Sequence, residues 1–272
     1  MLAPDHRLHY GPAPSQLGDL WLPPAKAGTR SPLLVFFHGG WWQSAFNLDY
    51  CGPICRALRD AGLAVWSVEY RRVGEPGGGW PGTFQDAAAG FDFADVLARI
   101  YPIDLRRVVV AGHSAGGHLA FWVAGRLHVF EGSVLHDPQP KVPVRAAVSL
   151  AGVVDLRGLV ELPSTAGSSA PGKEAVRRLL GGSPDTVPER YLAGDPRSLL
   201  PLNCPQTLVQ GTADEQVPPQ LAELWSRRAR QQGETAEVVT IAGANHFDVV
   251  DPESRAWPRV RSAILHAVPA IV

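Results

Sequence analysis

Short, nearly continuous apolar runs alternate with longer amphipathic stretches along this chain. Leu33–Phe37, Leu63–Val68, Arg107–Ala111 and Val144–Leu150 have the length and apolar content of strands buried on both faces. Pro205–Gln210 and Ala236–Ile241 read as two more strands, and His6–Tyr10 with Leu17–Leu22 as an opening pair. Helical patterns fill the gaps. They cover Asp49–Ala61, stopping at Gly62, then Thr83–Tyr101, Ala115–Leu127, Gln220–Gln232 and Arg255–Ala267. Thr83 is placed to cap the second of these, and Phe84, Ala88, Phe91 and Val96 supply its apolar stripe. Arg71–Pro81 is rich in Gly and Pro and reads as a loop.

Strands alternating with helices predict an α/β fold: a mostly parallel central sheet flanked by helices, with right-handed crossovers. In such sheets ligands bind outside the carboxyl ends of the strands. One region departs from the alternation. Val153–Leu200 has no strand pattern; it holds a Pro/Ser/Gly-rich segment, Pro163–Gly172, and short helices near Lys173–Leu180 and Pro188–Ala193. It is expected to be a partial lid, at about residues 153–200, on a single domain spanning 1–272.

Bulk properties narrow the function. With 45% hydrophobic residues and eight tryptophans the core is large, and a net charge of −1 makes no electrostatic case for nucleic acid or an anionic membrane. No stretch has the length of a membrane span, and the N-terminus lacks a signal-peptide layout. Cys51, Cys55 and Cys204 have no metal-ligand spacing and read as small buried hydrophobes, so a cytoplasmic setting is expected. A homodimer is left open.

The chemistry gathers at strand ends. Val108–Ala111 runs into Gly112-His-Ser-Ala-Gly116, the G-x-S-x-G pattern in strand–turn–helix context, which lifts Ser114 Oγ above the sheet as a nucleophile. A serine hydroxyl needs a base, and the base an orienting carboxylate. His246, after the Ala236–Ile241 strand, is the expected base, and Asp214, after Pro205–Gln210, the expected acid; Asp155 and Glu215 compete with Asp214. Oxyanion donors are the amides of Ala115 and, from the loop His38-Gly-Gly-Trp-Trp42, of Gly40 and Trp41. His38 is read as a brace for that loop and His113 as a structural contact below the elbow. Trp41 or Trp42 is expected to wall the substrate pocket, with Trp80 and Phe84 as further candidates. No metal or organic cofactor is called for.

With these three motifs in order, residues 33–270 resemble the α/β-hydrolase superfamily. His-Gly-Gly-aromatic-Trp at His38–Trp42 is similar to the oxyanion loop of the kynurenine formamidase (arylformamidase) and small carboxylesterase group. Hormone-sensitive-lipase-like esterases usually carry a third glycine where this chain has Trp41. The resemblance implies a serine hydrolase acting on a small-molecule ester or amide: a carboxylesterase, or an aryl-formamidase cleaving N-formylkynurenine. The latter needs anchors for an amino-acid group, with Asn47, Arg71 and Arg72 as candidates. A catalytically silent ligand-binding protein of the same fold is the reading from another class.

Overall fold

In the computed structural model, residues 3–24, 28–162 and 170–270 are described. Their strands are β1 (His6–His9), β2 (Leu17–Trp21), β3 (Ser31–Phe37), β4 (Ala64–Val68), β5 (Ile103–His113), β6 (Ala146–Leu150), β7 (Gln206–Gly211) and β8 (Ala236–Ile241). They form one sheet in the order β1-β2-β4-β3-β5-β6-β7-β8. Only β2 runs against its neighbours; from β4 to β8 every pairing is parallel.

The helices are α1 (Gly52–Asp60), α2 (Gly82–Asp92), α3 (Ala94–Ile100), α4 (Ala115–Gly125), α5 (Leu156–Glu161), α6 (Ala170–Leu180), α7 (Pro188–Gly194), α8 (Gln220–Gln231) and α9 (Trp257–Ala267). Side chains alternate across a strand, so the apolar run of β3 feeds two cores. Leu33, Val35 and Phe37 belong to the core that includes α2, α3, α4 and α8, whereas Leu34 and Phe36 belong to the one that includes α1 and α9. This is why the central strands are apolar without alternation. No described helix is long and apolar enough to cross a membrane.

The structure departs from the sequence reading at several boundaries. The expected helix over Thr83–Tyr101 is two helices, α2 and α3, separated at Phe93. The Phe93 ring packs 5.6 Å from that of Trp66, and Asp92 pairs with Arg126 at 2.6 Å. The apolar stripe continues through the break, so periodicity hides it. Thr83 is not the cap. Its hydroxyl donates to Arg71 O and accepts from Gly79 N, pinning the preceding loop. The first helix begins as a 3-10 turn, Leu48–Cys51, with Asn47 accepting from Asp49 N. β5 starts at Ile103, earlier than expected, because the ion-paired Asp104 and Arg106 interrupt its apolar signal.

Of Pro163–Gly172, residues 163–169 lie outside the described residues. The described remainder of 153–200 packs on α4. Trp122 Nε1 donates to Ala193 O at 2.8 Å, and His118 Nε2 lies 2.9 Å from Gly194 O.

Phe36 is fully buried in the layer under α1 and α9. Phe36→Ala is expected to lower unfolding free energy by about 3–5 kcal/mol in denaturant titration. A loss under about 1 kcal/mol would mean that this layer collapses around the void.

Candidate active site

Ser114 sits between β5 and α4 at φ 55° and ψ −119°, a conformation that L-residues rarely adopt. Two close backbone approaches hold it there. A Cβ on Gly112 would lie 2.1 Å from Gly116 O, and one on Gly116 would lie 2.0 Å from Phe37 O. The pattern needs glycine at both positions because neighbouring backbone fills the space.

The β7 and β8 loops are tied together. Ala213 N donates to Ala244 O at 3.0 Å, Thr212 N to Ile241 O at 3.1 Å, and Gly243 N to Thr212 Oγ1 at 2.8 Å. That contact brings Asp214 to His246, whose Nδ1 lies 2.8 Å from Asp214 Oδ2. Asp214 also accepts Gln210 Nε2 and the amides of Gln216 and Val217, each at 2.9 Å. Burial pushes its carboxyl up, but the hydrogen bond and charge of His246 and the two amides outweigh it, leaving the group below its ordinary value.

The competing carboxylates are engaged elsewhere or exposed. Asp155 caps α5 through Gly158 N and pairs with Arg197 and Arg228. Its neighbour Asp195 is pushed up, by burial first and then by the Asp155 charge. Glu215 is exposed.

Ser114 and His246 share the wall of a cavity of about 310 Å³, with Gly40, Trp41, Phe46, Tyr50, His113, Gln216 and Phe247. No hydrogen bond joins Ser114 Oγ to His246 among the described residues. The cavity lies beyond the carboxyl ends of β3, β5, β7 and β8, as expected of a parallel sheet. Gly40, at φ +104°, and Trp41, at φ 53°, form the tight turn beside it. A Cβ on Gly39 would lie 3.0 Å from Ser114 Cβ, so the loop rests on the elbow.

His38 braces this loop. Its Nδ1 lies 2.7 Å from Gly39 O and its Nε2 2.7 Å from Glu69 Oε1, and the Tyr70 ring stacks on it at 4.3 Å. Glu69 is pushed up by burial, yet its pairing with His38 and Arg72 holds it below its ordinary value.

The pocket expectations need correction. Trp42 and Phe84 are fully buried and do not line the cavity. Trp42 Nε1 donates to Ala115 O at 3.1 Å, and its ring meets that of His118 edge-on. Trp80 packs against Phe84 with Arg190 over its ring, also away from the cavity. The aromatic walls are Trp41, Phe46, Tyr50 and Phe247. Phe247 was findable as the residue after His246; Phe46 and Tyr50 carried no signal beyond nearness to the His38–Trp42 loop.

Arg71 and Arg72 do not line the cavity. Arg71 forms a two-pronged pair with Asp86 at 2.7 Å, and Arg72 binds Glu75 and Phe46 O. The three cysteines are buried and free, and burial pushes the Cys55 and Cys204 thiols up to about 12.

The sheet order and the elbow after β5 define a member of the α/β-hydrolase superfamily. The BD-FAE family model matches residues 18–228, and the chain belongs to that family. It is 26% identical over 255 residues to Esterase LipC of Mycobacterium tuberculosis, covering 90% of this chain and 60% of that protein. The probable isoprenylcysteine alpha-carbonyl methylesterase ICME of Oryza sativa subsp. japonica is 26% identical, over 88% of this chain and 57% of its own length. The chain thus spans less than two thirds of these relatives. The fold matches esterase B of Lactobacillus rhamnosis with a TM-score of 0.79 at 20% identity, over 97% of this chain and 85% of that one. The butyrate-bound esterase Est2 of Thermogutta terrifontis gives 0.74 at 21% identity, over 97% and 93%.

Burial sets the charge of two histidines near the site. It lowers His113 from 6.5 to about 3, helped by the neighbouring His246, and His118 from 6.5 to about 4. Both folded values lie below the unfolded one. As pH falls below 6.5 the unfolded chain takes protons that the native rings refuse, and each histidine then removes up to about 1.4 kcal/mol of stability per pH unit. NMR titration is expected to find both rings neutral at about pH 5, where ordinary histidines are charged. A midpoint near 6.5 for either would refute its burial as the controlling factor.

Proposed function

We propose that this chain is a carboxylesterase that works through an acyl-enzyme on Ser114. The observation that carries the reading is the 2.8 Å Asp214–His246 hydrogen bond facing a cavity that also holds Ser114 on its strained turn. Ser114 Oγ attacks the acyl carbonyl and His246 Nε2 takes its proton. Asp214 holds the imidazole by Nδ1 and stabilises the imidazolium. The amides of Gly40, Trp41 and Ala115 receive the oxyanion. His246 returns the proton to the departing alcohol, and water then hydrolyses the acyl group by the same steps in reverse order. A bond between serine and base that is open in the free enzyme commonly closes in the substrate complex.

The substrate reading rests on the walls. Trp41, Phe46 and Phe247 are apolar, and Phe46 and Phe247 stay 49% and 54% exposed, placing ring edges at the mouth. Such a site favours a small apolar acyl or alcohol group. N-formylkynurenine would bring an ammonium and a carboxylate. No arginine, lysine or carboxylate is among the described residues lining the cavity, which weighs toward the ester. The esterase names of the relatives support the same choice. The three free thiols fit a reducing, cytoplasmic setting.

Parallel assays with p-nitrophenyl acetate, p-nitrophenyl butyrate and N-formylkynurenine test the proposal. Ester turnover is expected to exceed formamide turnover, and Ser114→Ala to lower kcat by about 10³-fold or more. Ser114→Ala retaining most ester turnover would remove the assignment. A folded wild type that neither turns over esters nor reacts with a fluorophosphonate at Ser114 would point to a ligand-binding protein.

A further inference from the structure

One hydrogen-bonded chain, buried at its His113 end, joins the His38–Trp42 loop to the backbone of His246 and passes through the residue before Ser114. Gly39 N donates to Tyr50 Oη at 2.6 Å. Tyr50 Oη lies 2.9 Å from His113 Nδ1, and His113 Nε2 lies 3.0 Å from His246 O. His113 also precedes Ser114 in the chain.

The end bonds take their direction from their partners, and the middle one from the charge of the ring. His246 O is a carbonyl and only accepts, so His113 Nε2 carries the proton. Burial keeps the His113 ring neutral, so Nδ1 is bare and accepts. Tyr50 therefore donates to it, and burial, which pushes the phenol well above its ordinary value, keeps that proton in place. The remaining lone pair of Tyr50 faces Gly39 N–H. Tyr50 Oη thus accepts from Gly39 and donates to His113, whose neutral ring accepts at Nδ1 and donates at Nε2. The ring centroids of His113 and His246 are 4.7 Å apart, so packing reinforces the bond at that end.

We propose that Tyr50 and His113 are positioning residues that lock the oxyanion loop and the backbone of His246 into one register with Ser114. The proposal rests on the roles given above to Gly40, Trp41, Ser114 and His246. Gly39 immediately precedes the two oxyanion amides of its loop, so fixing its N–H restrains the plane from which they point. At the other end, fixing His246 O restrains the backbone that carries the base. Neither residue exchanges a proton with substrate. Their effect belongs to the transition state, where small misplacements are magnified.

Tyr50→Phe, His113→Gln and His113→Leu test this with p-nitrophenyl butyrate, with thermal melts on each variant. Tyr50→Phe deletes one oxygen but keeps the ring on the cavity wall. It is expected to lower kcat about 10- to 100-fold, with KM within about threefold of wild type. Glutamine offers an acceptor and a donor about as far apart as the ring nitrogens, so His113→Gln is expected to retain at least about tenfold more kcat than His113→Leu. A Tyr50→Phe kcat within about twofold of wild type, or a loss confined to KM, overturns the proposal. Equal losses in the two His113 variants overturn it as well. If His113→Leu does not fold, Tyr50→Phe decides alone. Ser114→Ala in the same assay separates the two readings: if it is active, the esterase mechanism has failed, and if it is inactive while Tyr50→Phe is unimpaired, only the positioning role has.

Discussion

The close approach of backbone to backbone around Ser114 is the constraint on which the site depends. Gly112 meets the carbonyl of Gly116, and Gly116 meets that of Phe37, at separations that leave no room for a Cβ. With the neighbours so near, the chain reverses within one residue, and Ser114 takes the strain at φ 55°. The same contact sets α4 behind the serine, with its N-terminus toward the cavity. Strain of this kind persists only where the surroundings over-determine it. Here the surroundings are β3, β5 and β6: Ser114 N donates to Leu150 O at 2.9 Å.

A second layer of buried polar groups holds the loops that the elbow serves. Glu69 gathers His38, the amides of Leu48 and Tyr70, and Arg72. Tyr70 in turn donates to His38 O at 2.9 Å. Buried groups of this sort are tolerated because nearly all of them find partners. The His38–Trp42 loop is thus held by electrostatics from below and by packing from the sides. Its free face, with Trp41 beside Phe46, borders the cavity.

Much of this is legible in the amino-acid sequence. Leu33–Phe37 is apolar without alternation because both of its faces are covered. The Gly112–Gly116 spacing reflects a purely local steric demand. Asp214 and His246 follow strands that end on one side of the sheet, so order along the chain predicted their meeting. What failed were readings of side chains that a remote segment had already claimed. Arg71 and Arg72, candidate anchors for an amino-acid group in the sequence, are held by Asp86 and Glu75. Thr83 read as a cap until Arg71 O and Gly79 N took its hydroxyl.

The aromatic residues mark the same boundary. Adjacent in sequence, Trp41 lines the cavity and Trp42 enters the core, both at positive φ. No periodicity distinguishes them, because a turn has none. The sequence by itself determined the order of elements, the place of the elbow and the strand ends that meet there, since these follow from burial patterns and local sterics. Tertiary structure alone decided which rings wall the cavity, which charges are already paired, and that His113 joins Tyr50 to His246. Those outcomes depend on where side chains from remote segments come to rest, and a hydrogen bond across 63 or 133 residues leaves no local trace.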